Sequence, residues 1–187
     1  MNKLSKLLEL KKTVFNYADF RHVFPGIKDD NLRKYLLKAK ENGILLNPLR
    51  WYRALPNYDP KELACLIKQN GYISCQTVLF REGVIFQFMG NTLECVADRH
   101  VEYVIDNQNF KFYKIKPELL NNNIGIRDYE NYRMATLERA LCDYIYFFPK
   151  AGIDAPENIN KIRLKQILPY YPKSTVLSIN KLLNVEY

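Results

Sequence analysis

The chain has 187 residues, 48% hydrophobic and 26% charged, the composition of an ordinary globular protein and a length for one domain or two small ones. No run approaches about 18 uninterrupted apolar residues, which excludes a membrane-spanning helix. The opening Met1–Lys12 is too charged for a signal-peptide core, so a cytoplasmic protein is expected.

The formal charge of +8 is unevenly distributed. Residues 1–55 hold 12 of the 28 Lys/Arg against 5 of the 20 Asp/Glu, a net of +7, and residues 56–187 carry 16 basic against 15 acidic groups. Clustered cations gain affinity by releasing counterions from phosphates, so the first third points to a polyanion partner.

In chain order, Lys3–Lys12 places Leu4, Leu7, Leu8 and Lys11 at helical spacing, with Lys3, Lys6 and Lys12 outward. Thr13-Val14-Phe15 reads as a short extended piece. Asn16 is placed to cap a second helix through Tyr17, Phe20, Val23 and Phe24, stopped by Pro25-Gly26. Asp29, Asp30 and Asn31 supply capping side chains for a third helix. Its buried stripe is Leu32, Tyr35, Leu36 and Ala39, and Asn42-Gly43 closes it. Ile44-Leu45-Leu46 and Trp51–Leu55 flank an Asn47-Pro48 turn and read as a hairpin.

Two helices, a basic third helix and a two-stranded wing form the layout of a winged helix-turn-helix, whose third helix enters the major groove. On that layout Arg33 and Lys34 reach base edges, with Asn31 a lesser candidate because a cap occupies its side chain. Lys28, Lys38, Arg50 and Arg53 hold phosphates, which position the module without specifying sequence. Solvated helix faces and a protein-interaction role are the competing readings of the same lysines.

Pro56–Pro60 marks the expected boundary, giving a DNA-binding domain over 1–55 and a second domain over 56–187. A helix follows with Leu63, Ala64, Cys65 and Ile67 inward. A second helix, Cys75 to Glu82, is capped by Ser74 and stopped by Gly83. Strands are predicted at Thr92–Ala97, Val101–Ile105, Phe110–Ile115 and Tyr132–Ala135, the middle two joined by Asp106–Asn109. Thr136 caps a helix burying Leu137, Ala140, Leu141, Tyr144 and Ile145, and two amphipathic patterns follow near Ile159–Leu168 and Thr175–Leu183. The expected class is α+β, with a mixed α/β second domain containing a small antiparallel sheet and C-terminal helices.

Chemistry is sparse. There is no Gly-rich phosphate loop, no Gly-x-Ser-x-Gly and no His-Glu-x-x-His. Glu94 and Asp98 lie too far apart along a strand to share an ion and read as a solvated strand edge. Glu138 and Asp143 splay on a helix, Glu138 serving its start. Cys65, Cys75, Cys95 and Cys142 contain no Cys-x-x-Cys pair, and His22 and His100 are far apart. Neither zinc ligands nor a disulfide framework are indicated. No cofactor, metal or catalytic residue is expected.

These segments resemble the AbiEi family of antitoxins from type IV toxin-antitoxin (abortive infection) systems. The parts that carry the resemblance are Leu36-Leu37-Lys38-Ala39-Lys40-Glu41-Asn42-Gly43-Ile44-Leu45, Asp59-Pro60…Leu63-Ala64, and Gly71-Tyr72-Ile73-Ser74…Val78-Leu79…Gly83-Val84-Ile85. The most distinctive is Ala135-Thr136-Leu137-Glu138-Arg139-Ala140-Leu141-Cys142-Asp143. The turn Asn47-Pro48-Leu49-Arg50-Trp51-Tyr52 departs from the family in having no Gly and one Arg, which moves the expected specificity onto the helix.

The resemblance implies a repressor that binds inverted repeats of double-stranded DNA in its own promoter. It implies a second domain that counteracts a nucleotidyltransferase-type toxin without a required stable complex, and no enzymatic activity. The alternatives are a stand-alone regulator whose second domain binds an effector or dimerises, and a small nuclease using Glu94 or Asp98.

Overall fold

Asn16 closes a capping box: its side chain accepts from the Asp19 N–H at 3.0 Å, and the Asp19 carboxylate accepts from the Asn16 N–H at 2.9 Å. Two donors that a helix start leaves open are thus satisfied reciprocally. This fixes where strand β1 (Val14–Asn16) hands over to helix α2 (Tyr17–Val23). The junction belongs to the first of two units, Met1–Leu63 and Ala64–Tyr187, in a computed structural model whose described residues are 5–185.

Helix α1 (Ser5–Leu8) ends at Leu8, before the expected Lys12. Lys11 takes φ +51°, a left-handed backbone that a continuing helix does not tolerate. Leu7 is buried, whereas Leu8, expected beside it, is exposed. Lys3 and Leu4 lie outside the described residues.

Helix α3 (Asp29–Glu41) buries Leu32, Leu36 and Ala39, half-buries Tyr35, and gives way to Gly43 at φ +68°. Asn31 corrects an expectation: it lies inside the helix and caps nothing. The N-cap position is Lys28, which makes no side-chain cap bond. The helix starts early because the Asp29 and Asp30 carboxylates favour its positive end.

Strand β2 (Tyr52–Ala54) pairs antiparallel with β1, placing Phe15 opposite Arg53. The expected hairpin between Ile44–Leu46 and Trp51–Leu55 reduces to one antiparallel bridge, Leu46 with Ala54, through bonds of 2.7 and 3.1 Å. Pro48 has no N–H with which to extend that ladder. Leu7, Phe15, Phe20, Leu32, Leu36 and Leu45 form the core of the unit.

The segment Pro56–Pro60 stays with this unit rather than ending it. Glu62 Oε2 accepts from the N–H groups of Thr13 (2.7 Å) and Val14 (3.1 Å), and Thr13 Oγ1 accepts from the Asp59 N–H at 2.8 Å. Helix α4 (Pro60–Ile67) then runs past Leu63.

The second unit is built on a six-stranded sheet. Its strands are β3 (Tyr72–Ile73), β4 (Thr92–Ala97), β5 (Val101–Ile105), β6 (Gln108–Lys114), β7 (Ile126–Asp128) and β8 (Arg133–Ala135), in the order β5-β6-β4-β3-β8-β7. The expected antiparallel pairing is present at β5–β6, β3–β4 and β7–β8, and the structure adds parallel joints at β4–β6 and β3–β8. The connection predicted as Asp106–Asn109 is only two residues long. Asp106 and Asn107 both take positive φ, +50° and +62°, as a tight twisted hairpin turn requires, so β6 begins at Gln108.

Helices α5 (Cys75–Arg81), α6 (Pro117–Leu120), α7 (Leu137–Phe147), α8 (Lys161–Ile167) and α9 (Lys173–Leu183) complete an α+β unit with C-terminal helices. Among the described residues no helix is long and apolar enough to cross a membrane.

Helix α7 starts as predicted, with the Thr136 side chain accepting from the Arg139 N–H. Its interior was not expected: Arg139 and Asp143 are both fully buried. Arg139 Nη2 donates to the Tyr72 hydroxyl and the Leu119 carbonyl, each at 2.8 Å, and Nη1 donates to the carbonyls of Asn122 (3.2 Å) and Ile124 (3.1 Å). The Asp143 carboxylate accepts from Ser74 Oγ at 2.7 Å, Tyr72 at 3.3 Å and the Tyr171 hydroxyl, and lies 3.4 Å from Arg139 Nε. Ser74 therefore does not cap α5 with its side chain, as expected, but faces Asp143. The N-terminus of α5 instead gives its Gln76 N–H to Glu94 Oε2 at 2.9 Å.

Gly125 permits this arrangement. At φ +72°, a Cβ added there would lie 2.8 Å from Arg139 Cβ and 2.9 Å from Ile167 Cδ1. Gly125→Ala is expected to cost about 3 kcal/mol through left-handed strain and overpacking. Urea denaturation checks it, and a loss below about 1 kcal/mol would show that the backbone relaxes freely.

Cys75, Cys95 and Cys142 are buried and Cys65 is half-buried, all four as free thiols. Burial pushes the thiols of Cys75, Cys95 and Cys142 well above the usual range.

Candidate nucleic-acid interface

The first unit gathers three arginines around one open concavity of about 530 Å³, whose lining includes Tyr17, Arg33, Arg50, Trp51 and Arg53. Each comes from a different local device. The capping box at Asn16 sets Tyr17 on the first turn of α2, and its hydroxyl donates to Asp29 Oδ1 at 3.0 Å. The buried stripe of α3 turns Arg33 outward. The turn over 47–51 presents Arg50, whose guanidinium lies 4.8 Å from the centroid of Trp51, a ring that is 71% exposed. That spacing is within cation–π range and holds a flat, charged face toward solvent.

Arg53 sits deeper. Its Nη1 donates to Asn47 Oδ1 and to the Tyr52 carbonyl, while its buried Nε has no hydrogen-bond partner among the described residues. Burial lowers its pKa, yet a guanidinium holds its proton at neutral pH. Arg53 therefore braces the turn and contributes positive field from within.

Of the residues predicted for DNA contact, the concavity gathers Arg33, Arg50 and Arg53. Lys28, Asn31, Lys34 and Lys38 are exposed along α3 and its start but do not line it. Asn31 is free of the capping role assigned to it. Arg21 bonds the Ile27 carbonyl at 2.6 Å and pairs with Asp29 at 3.2 Å, steadying the approach to α3. Tyr17 and Trp51 were missed by sequence reasoning. The adjacency of the chain's single Trp to Arg50 was the available signal.

The acidic pairs raised from sequence are not brought together. Asp98 is exposed and pairs with Lys68 at 3.3 Å, as a solvated edge would. Glu94 departs from that expectation. It is only 2% exposed, because besides Gln76 it accepts from the Tyr113 hydroxyl at 2.7 Å. Burial pushes the Glu94 carboxyl up, against the opposing pull of Tyr113, Gln76 and Lys111.

A raised folded-state pKa stabilises fully below the unfolded value of about 4.3, and that contribution is lost as pH rises through the folded one. Glu94→Gln cannot ionise and is expected to gain on the wild type over that rise. Urea melts of both proteins at about pH 4 and about pH 7 measure the difference, and a constant gap would refute it.

No family model and no curated protein matches the chain. A crystal structure of the RV2827C protein from Mycobacterium tuberculosis is similar to it, with a TM-score of 0.59 at 12% sequence identity, over 98% of this chain and 77% of that one. At that identity the likeness extends to the fold alone.

Proposed function

We propose that the first unit is a winged helix-turn-helix that binds double-stranded DNA, and that the chain is a repressor and antitoxin of the AbiEi type. The observation that carries the DNA reading is the convergence of Arg33, Arg50 and Arg53 on one open concavity. It lies in a segment with a net charge of +7 and is edged by the exposed Trp51. The order α2, α3, then a bridge at Leu46 and strand β2 closing on β1, supports a helix presented beside a short wing.

Arg33 and Lys34 read base edges from the exposed side of α3. Lys28, Lys38 and Arg50 hold phosphates, and Arg53 sets the turn that aims Arg50. Asn31, with its side chain outside any cap, joins the candidates for base contact. The antitoxin half rests on the resemblance around Ala135–Asp143, and its opponent is a nucleotidyltransferase-type toxin.

Fluorescence anisotropy with duplex from upstream of the operon, at several salt concentrations, tests the DNA reading. Affinity is expected to fall linearly on a log–log salt plot, and to fall again on combining Arg33→Ala with Lys34→Ala. Salt-insensitive binding, or no effect of the double variant, would overturn it. Co-expression with the neighbouring gene tests the antitoxin half. Relief of growth arrest supports it, and arrest that persists with the protein present removes it.

A further inference from the structure

The start of α7 builds something the DNA reading does not use. Glu138 was expected to serve the helix start, but among the described residues its side chain makes no hydrogen bond or ion pair, although the residue is only 3% exposed. It lines a cavity of about 310 Å³ in the second unit, together with Arg81, Arg127, Tyr129 and Arg163.

Arg81, at the end of α5, is already engaged. It lies 2.9 Å from Met134 Sδ and 3.6 Å from Glu82. Arg127 on β7 and Arg163 on α8 are exposed, and their guanidinium groups have no partner among the described residues. Cross-strand pairing puts Arg127 opposite Met134, on the face where Arg81 arrives. Asn160, by accepting from the Ile162 and Arg163 N–H groups at 3.1 Å, fixes the first turn of α8, from which Arg163 projects. Tyr129 stacks on Tyr132, with ring centroids 4.7 Å apart and planes 16° from parallel.

Glu138 has no donor among the described residues, so its carboxylate is available to accept one from a ligand in the cavity. Two unengaged guanidinium groups select a planar or tetrahedral oxyanion, phosphate above all. A stacked aromatic wall accepts a flat ring. The volume is at the lower end for small-molecule sites.

We propose that this cavity binds a nucleoside monophosphate, its phosphate on Arg127 and Arg163, a hydroxyl or amino donor on Glu138, and its base against Tyr129. The site lies wholly within the second unit and stands independently of the DNA-binding reading. It gives that unit a small ligand to respond to.

Calorimetric titration of the full chain with AMP, GMP, CMP and UMP, and separately with adenosine and inorganic phosphate, tests it. At least one nucleotide is expected to bind more tightly than both adenosine and phosphate. Combining Arg127→Ala with Arg163→Ala is expected to weaken that nucleotide about tenfold or more. Glu138→Gln is expected to weaken the nucleotide while leaving phosphate unchanged. Because Glu138 is buried, amide shifts at Thr136, Glu138 and Arg163 in the unaltered protein provide a readout that needs no variant. Three results would each overturn the proposal: phosphate binding as tightly as every nucleotide, unchanged affinity in the double arginine variant, or nucleotides that move none of those amides.

Discussion

Asp143→Ala is expected to cost the second unit about 3–5 kcal/mol, the penalty for leaving one member of a buried ion pair without the other. A domain of this size has only about 5–15 kcal/mol in total, so the variant sits near unfolding at room temperature. The loss exceeds that of a single hydrogen bond because Asp143 collects hydroxyls from Ser74, Tyr72 and Tyr171, which join β3, α7 and the segment before α9. Arg139→Ala is expected to do comparable damage by another route, since its guanidinium gathers the carbonyls of Leu119, Asn122 and Ile124.

The two side chains touch, so the double variant should lose less than the two single losses added together, a coupling of about 0.5–3 kcal/mol. Urea denaturation of the four proteins measures it. Strict additivity would mean that the pair acts as two separate anchors, and single losses under about 1 kcal/mol would mean that water enters and rescues the charge.

On the proposed DNA-binding role of the first unit, Arg33→Ala and Arg50→Ala are expected to weaken binding in distinguishable ways. Loss of a base contact costs about 1–3 kcal/mol and relaxes preference at one position, whereas loss of a phosphate contact weakens all duplexes alike and lowers the salt slope by about one. Arg33, on α3, is expected to show the first pattern, and Arg50, in the turn beside Trp51, the second. Anisotropy on the operator and on a scrambled duplex of equal length separates them. An Arg33→Ala loss of the same size on both duplexes would move Arg33 among the phosphate contacts.

What could be read from sequence was whatever is decided within a few residues. The Asn16 cap, the Thr136 cap and the left-handed Gly43 follow from local backbone chemistry, and the structure has each in place, adding the return bond from Asp19 that makes the Asn16 cap a box. The stripe Leu32, Leu36 and Ala39 follows from helical period. The misses depend on distant partners. Nothing near Arg139 in the chain announces Tyr72, 67 residues away, so the sequence reading set Asp143 against Glu138 and gave Arg139 no structural role. Glu94 looked like a strand edge because its burial is created by the start of α5 and by Tyr113, 19 residues on. The parallel joints of the sheet are long-range for the same reason.

The candidate interface divides along the same line. Arg33, Lys34 and Lys38 were identified by helix phase alone, while the meeting of Arg33 with Arg50 and Arg53 needed the closure of β2 on β1.

The four thiols have a practical consequence. All of them, Cys65, Cys75, Cys95 and Cys142, fall after Leu63, so the first unit has no sulfhydryl at all. At Cys75, Cys95 and Cys142 a pulse of alkylating reagent is therefore blind to melting of the basic unit and reports opening of the other. Cys65 modifies first, and Cys75, Cys95 and Cys142 modify only when the sheet and α7 come apart. The molecule thus carries a native reporter that scores the stability of one half while the other half is varied freely.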